Sequence, residues 1–385
     1  MADLKRERLA PVRFLSDRAE AVLRQDESVA SAALEDLLRL GTEEERLCAV
    51  TERPRFHSPA LVRRLLRKAS AVKAEDAGRA RSLALLALAA ANRADRERFP
   101  AAVLDGLQVQ ASCLLAEASG LQGRAREAEL WLFASLAWLN DRSCDALERA
   151  FLCRTMGLQR CREGRRDEAL ALLGRAMEIF AGHGEAAEAA EAQVEMAWIY
   201  YDAGEAARPV PLFRYALELL PAGERPAARL RGLGGLALSL EDLGRGSEAD
   251  AALEEAKGLA PRVPLVPDRQ HFACVLARIA ELRGRIGEAV EVLEALFHAL
   301  REEDCPLEAA AVGLDLAHIR IGEGGTPELP DLKLPGEAEA AVRSALERLA
   351  ARDPDAVKIL RRVQEDLGYA RHDPGRRFER PGSSP

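Results

Sequence analysis

The amino-acid sequence predicts an all-α protein, a right-handed α-solenoid built from antiparallel helix hairpins. Hydrophobic residues make up 48% of the 385 residues and aromatic residues only 4%. Much of the apolar content is therefore alanine and leucine, which cost least in helices, while the β-branched and aromatic residues that strands prefer are sparse. A second observation is a short glycine-led segment that recurs about every 40 residues in a constant register.

The repeated segment begins with glycine, and four of its five copies have a Glu-Ala pair at the fifth and sixth positions. The leading glycines are spaced 41, 40, 40 and 40 residues apart, and Gly324 continues the step of 40. The five copies are GRAREAE at 123–129, GRRDEAL at 164–170, GEAARPV at 204–210, GRGSEAD at 244–250 and GRIGEAV at 284–290.

The flanks of the glycines repeat as well. A large residue stands eight positions before each glycine and a small residue follows it, as in Met196–Ala197 and Leu236–Ala237. A glycine at a helix end can adopt the left-handed conformation of a C-cap, so we expect one helix to end there and a second to run back antiparallel. One hairpin cannot bury its apolar face alone, so the pattern predicts an array of stacked hairpins.

This pattern resembles the tetratricopeptide-repeat (TPR) family over residues 99–325. The resemblance implies a superhelix whose first helices line a concave groove. The usual family period is 34 residues, so a period of 40 predicts longer helices and is similar to the repeats of bacterial regulatory members. The third copy departs from the pattern, because Arg208 and Pro209 replace Glu-Ala. Proline is tolerated only in a first helical turn, so Pro209 and Pro211 should delay or shorten that helix.

Outside the array, the sequence predicts an N-terminal helical segment at 1–56 and a degenerate leading repeat at 57–98. C-terminal capping helices follow at 326–373, and a disordered basic tail at 374–385. Thr42 with Glu45 has capping-box spacing, and Ser58 with Pro59 is a favourable helix start. The predicted helices in these regions are 28–40, 42–52, 58–73, 77–92, 336–351 and 354–370.

The candidate binding site is a stripe on the groove-lining helices. It combines aromatic and arginine side chains, which are enriched at the energetic centres of interfaces, and its cations suit an extended segment with an acidic group or free carboxylate. The alternative that Trp198 and Tyr201 only pack between helices stays equally open. The stripe comprises Arg154, Leu158, Trp198, Tyr201, Arg278 and His318.

Several function classes are disfavoured. The sequence has no P-loop, GxGxxG, HExxH or GxSxG motif, so it predicts neither an enzyme nor a cofactor site. Cys153 and Cys161 could share a helix face and hold a metal, but core packing is the preferred interpretation. A net charge of −8 argues against nucleic acid as a partner, and no segment predicts a signal peptide or a membrane span. We therefore expect a cytoplasmic protein.

The function predicted from these observations is a non-catalytic scaffold or regulatory module that binds a protein or peptide partner in its groove. Alternatives are a small-ligand or signal-peptide sensor of the same fold and, less favoured, a helical enzyme or metal protein or a DNA-binding regulator. Two other surfaces stay open as binding sites, the convex face and the tail cations Arg376, Arg377 and Arg380.

Overall fold

The computed structural model describes residues 29–73, 76–139, 146–205, 207–220, 223, 225–263, 266–302, 305–322, 334, 336–351, 353 and 355–366. Every regular element within these ranges is a helix, which confirms the all-α solenoid. The chain divides into two compact units, one ending at Gly184 and one beginning at Glu185. None of the described helices is long and apolar enough to cross a membrane.

The first unit consists of a leading helix pair followed by three hairpins, in which consecutive helices pack on one another. Its helices are α1 (29–38), α2 (Glu43–Glu52), α3 (Pro59–Val72), α4 (Ala77–Arg93), α5 (Ala101–Leu121), α6 (Ala125–Leu139), α7 (Ala146–Arg162) and α8 (Arg166–Gly182), with a 3-10 turn at Pro54–Phe56.

The second unit continues the hairpin pattern and ends in two shorter helices. Its helices are α9 (Ala186–Asp202), α10 (Pro209–Leu219), α11 (Pro226–Asp242), α12 (Gly246–Leu259), α13 (Val266–Leu282), α14 (Ile286–Glu302), α15 (Pro306–Gly322), α16 (Gly336–Ala350) and α17 (Ala356–Asp366), with a 3-10 turn at Ala260–Arg262.

The turn glycines end the first helix of five consecutive hairpins, from α5–α6 to α13–α14, as the register predicts. All five have φ between 70° and 81°, the left-handed region in which glycine carries no steric penalty. The N–H of the residue after each glycine donates to a carbonyl five residues back, at 2.8–3.1 Å, which is the Schellman arrangement. The five glycines are Gly123, Gly164, Gly204, Gly244 and Gly284, whereas Gly324 lies outside the described residues.

The small residue before each turn lies at a close helix contact. Ala197 and Ala237 are both fully buried. At Gly157, a Cβ would lie 2.9 Å from Cγ of Leu173 on the returning helix α8, so no larger residue fits without movement. The small residue of the repeated pair is therefore a buried position of the first helix, and at Gly157 it faces the returning helix directly.

The helix-start signals also match the structure. Thr42 and Glu45 form a reciprocal capping box, and the Ser58 side chain caps α3 ahead of Pro59. Helix α10 begins at Pro209, five residues after Gly204, and has 11 residues, whereas α8, α12 and α14 begin two residues after their glycines and have 14 to 17. The prolines shorten this helix as predicted. Residues 1–28, the prolines at 327, 330 and 335, and the tail 374–385 lie outside the described residues.

Candidate ligand-binding groove

The first helices of the three hairpins in the first unit, α3, α5 and α7, lie side by side. Between them is a groove of ≈ 550 Å³, counting the part that is open to solvent. It is called the α3–α5–α7 groove below. Its lining residues are Leu66, Arg67, Ser70 and Lys73 from the α3 segment, Gln110, Cys113, Leu114 and Glu117 from α5, and Phe151, Arg154 and Thr155 from α7.

Helical periodicity explains why these residues meet. On each helix the lining positions comprise one adjacent pair and residues reached from it in steps of three or four positions, so they form one stripe along the same face. The other face of α5 buries Leu115 and Ala116 in the core. On α7, the Phe151 ring is held edge-on by Phe180 of α8, with 5.1 Å between the ring centroids.

The carboxylate of Glu117 on α5 connects this helix with the α3 segment and with α7. It accepts a hydrogen bond from Nζ of Lys73, at the end of α3, and another from the Thr155 hydroxyl on α7, at 3.1 Å. The Glu117 side chain is only 12% exposed. Burial opposes its ionisation, but the charges of Lys73 and Arg154 outweigh burial and lower the pKa of Glu117 to about 2. Glu117 is therefore a carboxylate at neutral pH.

The groove has an excess of positive charge. Its lining includes three cations, Arg67, Lys73 and Arg154, and one carboxylate, Glu117, which leaves a formal charge of two positive units. Apolar walls stand beside these charges, formed by residues such as Leu114 and Phe151. An anionic group attached to an apolar chain fits this arrangement, because charge-assisted hydrogen bonds orient the anion and the walls bury the chain.

Cys113 lines the same groove but is not suited to nucleophilic chemistry. Burial, followed by the nearby Glu117 charge, raises the pKa of the Cys113 thiol to about 12. The thiol is therefore protonated at neutral pH, and the thiolate is the reactive form. Among the described residues, no group of three or more His, Cys, Asp or Glu side chains could hold a metal ion.

The structure divides the predicted stripe between the two units. Arg154 lines the groove, and Leu158 lies one turn further along α7, half-buried. In the second unit, Trp198 and Tyr201 are each 1% exposed and belong to the hydrophobic core. Their ring centroids are 5.6 Å apart, and a second edge-on contact joins Trp198 to Phe213 of α10, also at 5.6 Å.

The last two residues of the stripe lie on later helices of the second unit. Arg278 on α13 forms a 2.7 Å ion pair with Glu281 on the same helix and is 12% exposed. His318 is half-buried on α15. Of the six predicted residues, the structure thus brings Arg154 and Leu158 together on α7, and Trp198 and Tyr201 on α9.

Buried ion pairs connect the first helices of the second unit. On α9, Glu191 accepts from Arg225 at 2.6 Å and Glu195 from Arg231 at 2.9 Å. Asp268 on α13 lies 3.6 Å from the same Arg231. In the second unit, ion pairs therefore connect the first helices α9, α11 and α13, whereas in the first unit the corresponding helices α3, α5 and α7 leave a groove between them.

The amino-acid sequence alone did not single out four residues of the groove: Arg67, Lys73, Glu117 and Thr155. One signal was present, because Glu117 stands six residues before Gly123, the register position that Trp198 occupies before Gly204. Arg67 on α3 and Lys73 directly after α3 lie ahead of the region where the 40-residue register is clear, so periodicity alone could not align them with the groove.

Comparisons with protein-family models and with curated proteins find no match. Solved structures do match. A Rap protein complexed with Competence and Sporulation Factor has a TM-score of 0.54 at 15% identity, over 80% of this chain and 85% of that one. BtubC (BKLC) from P. vanneervenii has a TM-score of 0.44 at 20% identity, over 62% of this chain and 91% of the other.

A third similar structure, from Podosopora anserina, is described as the nearly identical TPR-like repeats of a kinesin light chain. It has a TM-score of 0.37 at 20% identity and covers 53% of this chain and 96% of its own. At these identities the likeness to the Rap structure concerns the fold alone. Together with the glycine-capped hairpins, it shows that this chain has the helical-repeat fold of the tetratricopeptide-repeat proteins.

Proposed function

We propose that this protein is a non-catalytic binding module that holds a short peptide segment bearing a carboxylate in the α3–α5–α7 groove. The observation that carries the proposal is the set of three cations, Arg67, Lys73 and Arg154, beside apolar walls in one recess. The recess lies between three neighbouring helices, and its ≈ 550 Å³ includes the part that is open to solvent. A short segment fits such a recess, whereas the face of a folded domain does not.

The similar Rap structure supports a binding role, because it is a complex with Competence and Sporulation Factor. In this proposal Arg154 binds the carboxylate of the segment, and Leu158 extends the contact surface along α7. Trp198 and Tyr201 act as packing residues of the second unit. Arg278 and His318 are proposed as a separate contact region of that unit. The protein would serve as a regulatory or scaffolding component, since its output passes through the bound partner.

A peptide selection tests this function. Heptapeptides displayed in a random library are selected on the purified full-length protein, and the tightest binder is titrated by calorimetry. We expect selected sequences to be enriched in Asp, Glu or free C-termini together with apolar residues. Arg154→Ala and Arg67→Ala should each lower the affinity tenfold or more, as expected for a desolvated arginine anchor.

The matched control is Arg149→Ala, which removes an exposed cation from the same helix outside the groove and should leave the affinity unchanged. Inorganic phosphate and acetate, titrated in parallel, distinguish a peptide site from a sensor of small anions. Selection of no peptide, or equal losses in the Arg149 and Arg154 variants, would refute the proposal.

A further inference from the structure

Glu117 is the one carboxylate among the lining residues of a groove proposed to bind carboxylates. The Glu117 carboxylate accepts a hydrogen bond from the Lys73 ammonium, the group that an incoming anion would also bind. The Thr155 hydroxyl donates a second hydrogen bond that holds the Glu117 carboxylate in place. Arg154 also acts on it electrostatically. The groove therefore already contains an anion, supplied by the chain itself and positioned among the cations.

We propose that Glu117 is a built-in competitor, which occupies the cation site of the α3–α5–α7 groove until the carboxylate of a ligand displaces it from Lys73. This inference rests on the proposed function and concerns its regulation. In the ligand-free protein, Glu117 pairs with Lys73 and so neutralises a half-buried ammonium. In the complex, the ligand carboxylate takes over Lys73 and Arg154, and Glu117 turns away.

Electrostatics favours this exchange. Two carboxylates close together in a largely desolvated recess repel each other strongly. The Glu117 side chain is 12% exposed and the Lys73 side chain 21%, so solvent screens little of that repulsion. Lys73 stands at the end of α3 on a flexible four-carbon stem, which lets its ammonium follow either partner.

The exchange would also make the groove selective for acidic segments. A neutral segment has no charge that could replace Glu117 at Lys73. On binding, it would therefore cover the Lys73–Glu117 ion pair and remove solvent from it. An acidic segment supplies the replacement charge. Since the Glu117 carboxylate connects α3, α5 and α7, its displacement also releases one tie between three neighbouring helices, which gives ligand binding a structural consequence.

The test uses the acidic heptapeptide selected above and an analogue in which its Asp and Glu residues are Asn and Gln. Both are titrated into the full-length wild type and into Glu117→Gln, whose amide keeps the shape and an acceptor oxygen but loses the charge. We expect Glu117→Gln to bind the acidic peptide tenfold or more tightly than the wild type does, with a much smaller change for the analogue.

Two further variants complete the design. Lys73→Met in the Glu117→Gln background should abolish the gain in affinity for the acidic peptide, because the ammonium that binds the peptide carboxylate is absent. Thr155→Val, which removes one anchor of Glu117 without changing charge, should give a smaller gain in the same direction. The control Glu248→Gln removes an exposed carboxylate of α12, in the second unit, and should change nothing.

The outcomes separate the two proposals. If the wild type binds the peptide through Arg154 while folded Glu117→Gln binds it no more tightly, the competitor role is wrong and the proposed function stands. If neither the wild type nor Glu117→Gln binds any selected peptide, both are overturned. Circular dichroism on each variant establishes folding before affinities are compared.

Discussion

The ring of Trp198 on α9 stands edge-on against the ring of His271 on α13, with 4.9 Å between the centroids and 75° between the planes. The two residues belong to the first and third hairpins of the second unit, and α11 of the intervening hairpin packs on both helices. Trp198 therefore joins three hairpins in one core rather than facing solvent. Its large ring contributes mainly to the stability of this unit.

Removal of this ring should destabilise the protein strongly. Trp198→Ala should lower the free energy of unfolding by about 3–5 kcal/mol, because it leaves a large cavity in a packed core. The measurement is denaturant unfolding followed by circular dichroism. Tyr215→Ala is the matched control, since that aromatic side chain is exposed on α10 and its loss should cost little. A Trp198→Ala protein of unchanged stability that lost peptide affinity would instead place this residue in the binding site.

A glycine in the middle of α11 should be required for packing. At Gly235 a Cβ would lie only 2.2 Å from Cζ of Phe213, an aromatic ring that is itself fully buried and cannot swing away. Gly235→Ala should therefore lower the free energy of unfolding by about 1–3 kcal/mol through overpacking. This loss is expected although alanine is about 1 kcal/mol more favourable than glycine in the interior of a helix.

The control for this prediction is Gly258→Ala in α12, where nothing lies within 4 Å of the added Cβ. That change should be neutral or stabilising. Thermal melts of both variants suffice as the measurement. Equal effects at the two positions would show that backbone preference, and not the Phe213 ring, decides the cost at Gly235.

The stability contribution of Glu117 should depend on pH. Its pKa in the folded protein is about 2, below the ordinary value of 4.5, so the ionised form stabilises the fold fully above about pH 4.5. This contribution falls as the pH drops from 4.5 towards 2 and the carboxylate takes up a proton. The stability difference between wild type and Glu117→Gln should shrink over that window.

Urea unfolding of both proteins at several pH values between 7 and 2.5 measures this difference. Glu254→Gln, at a side chain 74% exposed on α12, is the control and should stay close to the wild type throughout. A Glu117→Gln difference that is constant with pH would show that the carboxylate gains nothing from Lys73 and Arg154 in the folded state.

Local signals in the sequence determined the hairpins. Each turn glycine, such as Gly164, takes a left-handed conformation that side chains disfavour, so its position alone marks the end of a helix. Pro209 likewise starts α10 late because its ring cannot sit inside a helix. These effects act within a few residues along the chain. Because the glycines recur with a constant period, the helix ends can be predicted without a structure.

Only the tertiary structure decided which residues form the groove and which form the core. Trp198 and Glu117 occupy the same position relative to their glycines, yet the tryptophan is buried against His271 while the glutamate meets Lys73 and Thr155 in an open recess. The difference depends on what the neighbouring helices present across the contact. Those contacts join residues about 40 or more positions apart in the chain, and the period of a single helix does not contain them.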